Sequence, residues 1–128
     1  MPLAALLSPA NRHDSMVFEA LLDAVPPVRT PAGRRRKRPA KLHADKGYDD
    51  RKCRDACRRR GIKHRIARKG VEPSDRLGRH RWVVERTLAW LNRFRRLTVR
   101  YERRADLHRA FLLLGCSLVC LRRLEGWF

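Results

Sequence analysis

Two segments each place one carboxylate where chemistry could use it: Lys41-Leu42-His43-Ala44-Asp45-Lys46-Gly47-Tyr48-Asp49 and Arg79-His80-Arg81-Trp82-Val83-Val84-Glu85-Arg86-Thr87. Asp45 follows a short run with strand character, and Gly47 lets the backbone turn sharply after it. Glu85 falls inside a long helical pattern, one turn after Arg81. Carboxylates brought together from a strand end and a facing helix supply hard oxygen ligands for Mg²⁺. A two-metal phosphoryl-transfer site needs such ligands to activate a nucleophile and stabilise a leaving oxygen. The rest of the chain names the phosphate donor. Lys plus Arg number 32 against 13 Asp plus Glu, a net charge of +19 over 128 residues. That excess favours a nucleic acid.

The cations divide by job. Arg34, Arg35, Arg36, Lys37 and Arg38 form an unbroken run in a segment, residues 28–39, that reads as a basic loop able to bind phosphates without reading bases. Arg81, Arg93 and Arg96 lie nearest the proposed carboxylate face and could clamp a DNA backbone bidentately. Positions 81, 85, 88, 92 and 96 recur at helical spacing and read Arg, Glu, Leu, Asn, Arg. A stripe that polar on an otherwise apolar helix suggests a cleft, with plain solvent as the alternative. Trp82, Trp90 and Tyr101 suit either core packing or stacking on unpaired bases. On residue pattern alone, Asp45 equally suits a turn-forming aspartate after a strand. Glu85 equally suits an exposed i,i+4 partner of Arg81, worth only about a few tenths of a kcal/mol.

Cys53/Cys57 and Cys116/Cys120 form two i,i+4 pairs that could offer four thiolates to zinc. Structural zinc sites more often space ligands by two residues, and both pairs fall on the apolar stripe of a predicted helix, so buried reduced thiols explain them better. The five histidines show no ligand spacing. His43 points away from its strand neighbours.

The elements that must position these groups follow in order. Leu3 to Leu7 reads as a short buried strand. Asp14 or Ser15 should cap a helix over Met16 to Val25, stopped by Pro26-Pro27. A strand over Lys41 to Ala44 leads into the turn holding Asp45. Asp50 should cap a helix from Arg51 to Arg60, ended by Gly61, and Ile62 to Ala67 alternates as a third strand. After a loop around Pro73, a long helix should run from about His80 to Arg95 or beyond, and an apolar helix from about Leu107 to Leu124. The pattern is α/β, and the length suits one compact domain over residues 1–128. Hydrophobic content of 43% excludes a disordered basic tail. The charge is spread over every segment, unlike a membrane-surface helix, and no apolar stretch is long enough to span a bilayer. The chain reads as cytoplasmic.

The two carboxylate segments carry a family resemblance. The chain resembles the C-terminal part of a bacterial insertion-sequence transposase of the DDE type, in the insertion-sequence four/five group, over nearly its whole length from Pro2 to about Leu124. Asp45 matches the family's second catalytic Asp and Glu85 its Glu. Arg81 and Glu85 reproduce the Arg-three-residues-Glu core of the group's motif. Three departures stand out. Gly78 replaces the motif's Tyr. Asn92 replaces its Lys, with Arg93 alongside. The first catalytic Asp has no counterpart, which the resemblance explains by an N-terminal truncation. It implies a ribonuclease-H-like fold with Asp45 and Glu85 as ligands of Mg²⁺ or Mn²⁺ and with Arg81 positioning and stabilising charge. It also implies double-stranded DNA as substrate at transposon ends and target, a homo-oligomer in the active complex, and an upstream-frame polypeptide as one source of the missing Asp. The chemistry implied is hydrolysis at each transposon end, then attack of the freed 3′-hydroxyl on target DNA. With two carboxylates, the isolated chain is expected to be inactive. A second class of function stays open on the residues alone: a non-catalytic basic DNA-binding protein, such as a decayed remnant.

Overall fold

The computed structural model of the protein describes residues 1–71 and 78–126, and over 78–81 the backbone alone. The loop expected around Pro73 and the side chain of Arg81 therefore lie outside the described residues. The architecture is mixed α/β, with five α-helices and two small sheets among the described residues. The chain divides into two compact units, residues 8–81 and residues 1–7 with 82–128. Among the described residues no helix is long and apolar enough to cross a membrane.

The first unit is organised around a β-α-β element. Strand β3, Lys41–Ala44, pairs in parallel with β4, Lys63–Ile66, in the register Lys41↔Lys63 to Ala44↔Ile66. Parallel neighbours need a crossover, and α2, Arg51–Arg59, supplies it. Asp50 caps α2 as its sequence suggests, its carboxylate accepting from Lys52 N at 2.9 Å. Gly61 ends the helix at φ 59°, a left-handed conformation that a side chain disfavours. The buried face of α2 is Cys53, Ala56 and Cys57, which join Phe18, Ile62 and Ile66 in the core, with Leu22, Leu42, Ala44 and Tyr48 packed against it. Burial raises the pKa of both Cys53 and Cys57, so both behave as protonated apolar groups.

The helix expected over Met16 to Val25 divides into a 3-10 turn, Asp14–Val17, and α1, Phe18–Ala24. Neither Asp14 nor Ser15 caps it. His13 does, its Nδ1 accepting from Ser15 N at 3.3 Å. Val25 turns to an extended conformation ahead of Pro26, as the steric demand of a proline ring requires. Helix α1 is tied to the C-terminal end of α2 by charge: Arg59 meets Glu19 at 2.8 Å, and Arg60 meets Asp23 at 2.9 Å and Glu19 at 3.2 Å.

This tie predicts acid sensitivity. Hydrogen bonds from Arg59 and then Arg60 hold the Glu19 carboxyl below its ordinary 4.5, and Arg60 holds Asp23 below 3.8. A depressed folded-state pKa stabilises fully above the ordinary value, and the stabilisation is lost as pH falls through the lowered one. Urea midpoints measured between about pH 5 and pH 2 should therefore fall with pH, and Arg60→Ala should flatten that fall. An equally steep fall in the variant would contradict the assignment.

Residues 28–39 are not wholly loop. Strands β1, Val28–Arg29, and β2, Arg35–Arg36, pair antiparallel. Thr30 N donates to Arg34 O at 2.9 Å and Gly33 N to Thr30 O at 2.8 Å across the connection, with Gly33 at φ 75°.

The second unit is helical. Helix α3, Gly78–Leu91, gives way at Asn92, and α4, Arg95–Thr98, restarts after Phe94 adopts an extended ψ of 110°. The single helix expected to Arg95 is thus broken. Arg93 N and Phe94 N reach the carbonyls three residues back, and Thr98 Oγ1 donates to Asn92 O at 2.5 Å, so side chain and 3-10 turns satisfy the groups freed by the break. Helix α5, Ala105–Leu124, passes close to this turn at Gly115, where an added Cβ would lie 2.8 Å from Leu97 Cδ1. Leu91, Gly115 and Val119 are buried. No strand forms at Leu3 to Leu7. Among the described residues that apolar run has no partner strand, and it is tied instead to α5, where Cys120 Sγ donates to Pro2 O at 3.7 Å.

Candidate active site

Asp45 stands immediately past the C-terminal end of β3, in extended conformation at φ −80° and ψ −177°. In open parallel sheets this edge is where ligands bind, because strand ends and the loops that follow present converging side chains. The turn after it is fixed by Asp45 itself: Oδ1 accepts from Gly47 N at 2.9 Å, and Tyr48 N donates to Asp45 O at 3.2 Å. A Cβ at position 47 would lie 3.1 Å from Asp45 Oδ1, so the small residue keeps the carboxylate uncrowded. Among the described residues Oδ2 has no hydrogen-bond partner. The half-buried carboxylate is thus held by one oxygen and leaves the other, a hard donor of the kind Mg²⁺ prefers.

Two neighbours were not singled out by sequence reasoning. Asp49, one turn on, binds Arg54 through Oδ1 and Lys69 N through Oδ2 at 2.8 Å, and these bonds, Arg54's first, lower its pKa. Both oxygens are spent, so Asp49 fastens the segment after the turn to the chain beyond β4. Tyr48 packs its ring against Phe18 with centroids 5.5 Å apart. Burial raises its phenol pKa, and the charges of Asp14 and Asp45 raise it further. Asp14, relieved of capping by His13, thus bears on the same phenol as Asp45. A helix-start aspartate gave no sequence signal for that.

Glu85 lies on an exposed side of α3, in the other compact unit. On the same helix Arg86 lies between two indoles, its guanidinium carbon 4.4 Å from the Trp82 ring and 4.8 Å from the Trp90 ring. Trp82 is 51% exposed and Tyr101 55%, so neither is core. The polar stripe is cut by the break at Asn92. Asn92 and Arg93 are exposed in the turn, and Arg96 on α4 donates to Glu102 at 2.7 Å and lies over Phe111 at 5.0 Å. Glu102 is nearly buried beside Arg96 and His108.

The basic run contains β2, Arg35–Arg36, with Arg34 in the connection before it and Lys37 and Arg38 after it. Arg36 Nε donates to Arg38 O at 2.8 Å, and Arg38 reaches Arg60 O at 3.3 Å, occupying the space that the bare Gly61 leaves. Lys37 lies near enough to Asp23 to help hold it ionised.

A strand-end carboxylate with one oxygen that no described residue engages, in a segment whose neighbours are tied down around it, is compatible with metal-assisted phosphate chemistry. Residues 1–120 match the family described as transposase DDE domain. The chain belongs to that family. It is also 51% identical, over 124 residues, to a putative transposase for insertion sequence element IS402 from Burkholderia cepacia. That alignment takes in 97% of this chain and 59% of the relative, so the chain spans somewhat more than half the relative's length. No solved structure matches the chain.

Proposed function

We propose that this member of the transposase DDE domain family acts in DNA transposition, as the later part of an insertion-sequence transposase catalytic domain of the four/five group with a ribonuclease-H-like fold. Residues 1–128 would work as one catalytic-domain fragment, with residues 28–39 as its basic DNA-gripping segment. The observation that carries this reading is Asp45: past the end of a parallel strand, one oxygen fixed by Gly47 N and the other without a partner among the described residues.

In this reading Asp45 and Glu85 hold a divalent cation, Mg²⁺ or Mn²⁺. When bound, such an ion supplies positive charge to the reacting phosphate and a more acidic water. The chain's own residues do the rest. Gly47 N orients the Asp45 carboxylate, so no reorientation is needed on binding. Arg81, Arg93 and Arg96 offer planar guanidinium groups to phosphate oxygens, and Asn92 offers an amide hydrogen bond without charge. Arg34, Arg35, Arg36, Lys37 and Arg38 contact the duplex backbone at a distance from the cut. Transposon ends and target are the double-stranded DNA substrates, a homo-oligomer forms the active complex, and an upstream-frame polypeptide carrying the first Asp is the proposed source of the remaining ligand. The cytoplasm is the proposed compartment.

The test is a nicking assay on supercoiled DNA with Mg²⁺ or Mn²⁺. The chain alone should leave the DNA uncut, because two carboxylates do not hold two ions at the short separation that in-line displacement uses. Cleavage by the unaltered chain that survives Asp45→Ala would overturn the reading. Metal-independent DNA binding with no activity under any supplementation would favour a non-catalytic binder, a reading supported by the +19 charge.

A further inference from the structure

The β1–β2 ribbon carries an electrostatic conflict that its own unit does not resolve. Its register sets Arg29 directly opposite Arg35, and Val28 opposite Arg36. Residues opposed in an antiparallel pair project from one face with Cβ atoms about 4.5–5.5 Å apart, and like charges so placed disfavour the pairing. The ribbon has only these two residue pairs, and both strands are fully exposed. Elsewhere in the unit arginines meet carboxylates: Arg54 with Asp49, Arg58 with Asp55, Arg59 with Glu19, Arg60 with Asp23. Among the described residues the side chains of Arg29 and Arg35 have neither a carboxylate nor a hydrogen-bond partner.

The ribbon is nonetheless held in place. Its connection is closed by the Thr30–Arg34 and Gly33–Thr30 hydrogen bonds. Its far end is braced by Arg36 on the Arg38 carbonyl, and by Arg38 on the carbonyl of Arg60, just past the end of α2. Gly61 makes room for that brace, since a Cβ there would stand 2.7 Å from the Arg38 guanidinium. A paired, braced ribbon whose register sets two arginines opposite each other, with no carboxylate partner among the described residues, has the form of an anion site lacking its anion.

We propose that Arg29 and Arg35 form a clamp for a single backbone phosphate of duplex DNA, with Arg36 and Arg38 as the strut that presents it. The proposal rests on the DNA-binding reading above and refines it. Arg29, outside the basic run, becomes a contact, and Arg38 becomes chiefly a positioning residue. One phosphate between the opposed groups replaces their repulsion with charge-assisted hydrogen bonds from both sides. Such a contact fixes register on the backbone and carries no base information.

The sharing of one phosphate gives the test its signature. Binding of the full chain to a labelled duplex is measured by fluorescence anisotropy across salt concentrations for the unaltered protein, Arg29→Ser, Arg35→Ser and the double variant. Each single variant should bind roughly tenfold more weakly. The double variant should be little worse than either single, because partners on one phosphate are not additive. The slope of log affinity against log salt should fall by about one contact, not two. Without DNA, the melting temperature of each variant should be unchanged or higher, since a repulsion has been removed. Unaltered affinity and slope, or additive losses with a slope change near two, would overturn the clamp while leaving DNA binding intact. A lower melting temperature would overturn the claimed conflict, and a loss seen only on RNA would overturn the duplex assignment. Failure of the unaltered chain to bind DNA at all would remove the broader reading and the clamp together.

Discussion

Asp45→Asn, introduced into a cleavage-competent assembly of this chain, should reduce metal-dependent strand cleavage by on the order of a thousandfold or more while leaving the fold in place. The choice of Asn separates the carboxylate's two roles. Its structural role is to accept from Gly47 N at 2.9 Å and so fix the turn after β3. An Asn side-chain oxygen accepts that bond equally well, and Asn tolerates such turns, so the melting transition should move by little. Its proposed chemical role needs the negative charge and the second oxygen, and Asn removes both. Asp45→Ala, by contrast, should lose the turn bond as well, at a cost of about 1 kcal/mol. Glu85→Gln should match Asp45→Asn in activity and leave stability alone, because Glu85 is exposed on α3. Circular dichroism and a plasmid-nicking assay on the same samples check both halves. Cleavage retained in Asp45→Asn would show that the carboxylate only holds the turn.

The second large effect is on DNA affinity. With a net charge of +19 spread over both compact units, the chain should neutralise several phosphates at once. If about 6–10 phosphates are contacted, affinity should drop by about 10³–10⁵ between roughly 50 and 200 mM salt. Little sequence preference is expected, because backbone contacts carry none. Replacing Arg34, Arg35, Arg36 and Lys37 by Ser should therefore weaken every duplex to a similar degree. Arg38 is best left in place, since it braces the end of α2 through Arg60 O. Electrophoretic or anisotropy titrations over that salt range decide the matter, and an affinity insensitive to salt would refute the electrostatic account.

Much of the first unit was legible because its signals are local. Strand β3 falls on Lys41–Ala44 as its pattern suggests, Asp50 caps α2, and Gly61 ends it. Each depends on a side chain reaching backbone only a few residues away. What sequence could not give depends on pairing at a distance. A five-residue apolar run at Leu3 to Leu7 reads as a strand, but a strand exists only where a ladder partner is available. The β1–β2 ribbon was hidden for the opposite reason: Arg34 to Arg38 holds none of the β-branched or aromatic residues that mark a strand, and the turn at Gly33 brings it together regardless. His13 took the capping role because its Nδ1 stands where Asp or Ser oxygens usually do, although His is not among the residues that favour this position. The break at Asn92 shows the same limit, since apolar periodicity continues through it and only the Thr98 bond to Asn92 O reveals how the break is stabilised.

The candidate site divides along the same line. Asp45 was readable from a strand end and a glycine two residues on. The proposed pairing of Asp45 with Glu85 rests on family resemblance alone, because no local pattern in the sequence ties a given strand end to a given helix. The influence of Asp14 on Tyr48 was not readable at all. It follows from packing of the 3-10 turns at Asp14–Val17 and Lys46–Tyr48.

The central claim is that Asp45 and Glu85 hold the same divalent ion, and iron-directed backbone cleavage tests it most directly. Fe²⁺ replaces Mg²⁺ in the full chain bound to DNA, ascorbate and peroxide generate hydroxyl radicals at the ion, and the protein fragments are sized. The account predicts two cut sites, one beside Asp45 and one beside Glu85, both suppressed by excess Mg²⁺ and both lost in Asp45→Asn. Cuts at only one of these positions, or cuts elsewhere that Asp45→Asn leaves unchanged, would contradict it.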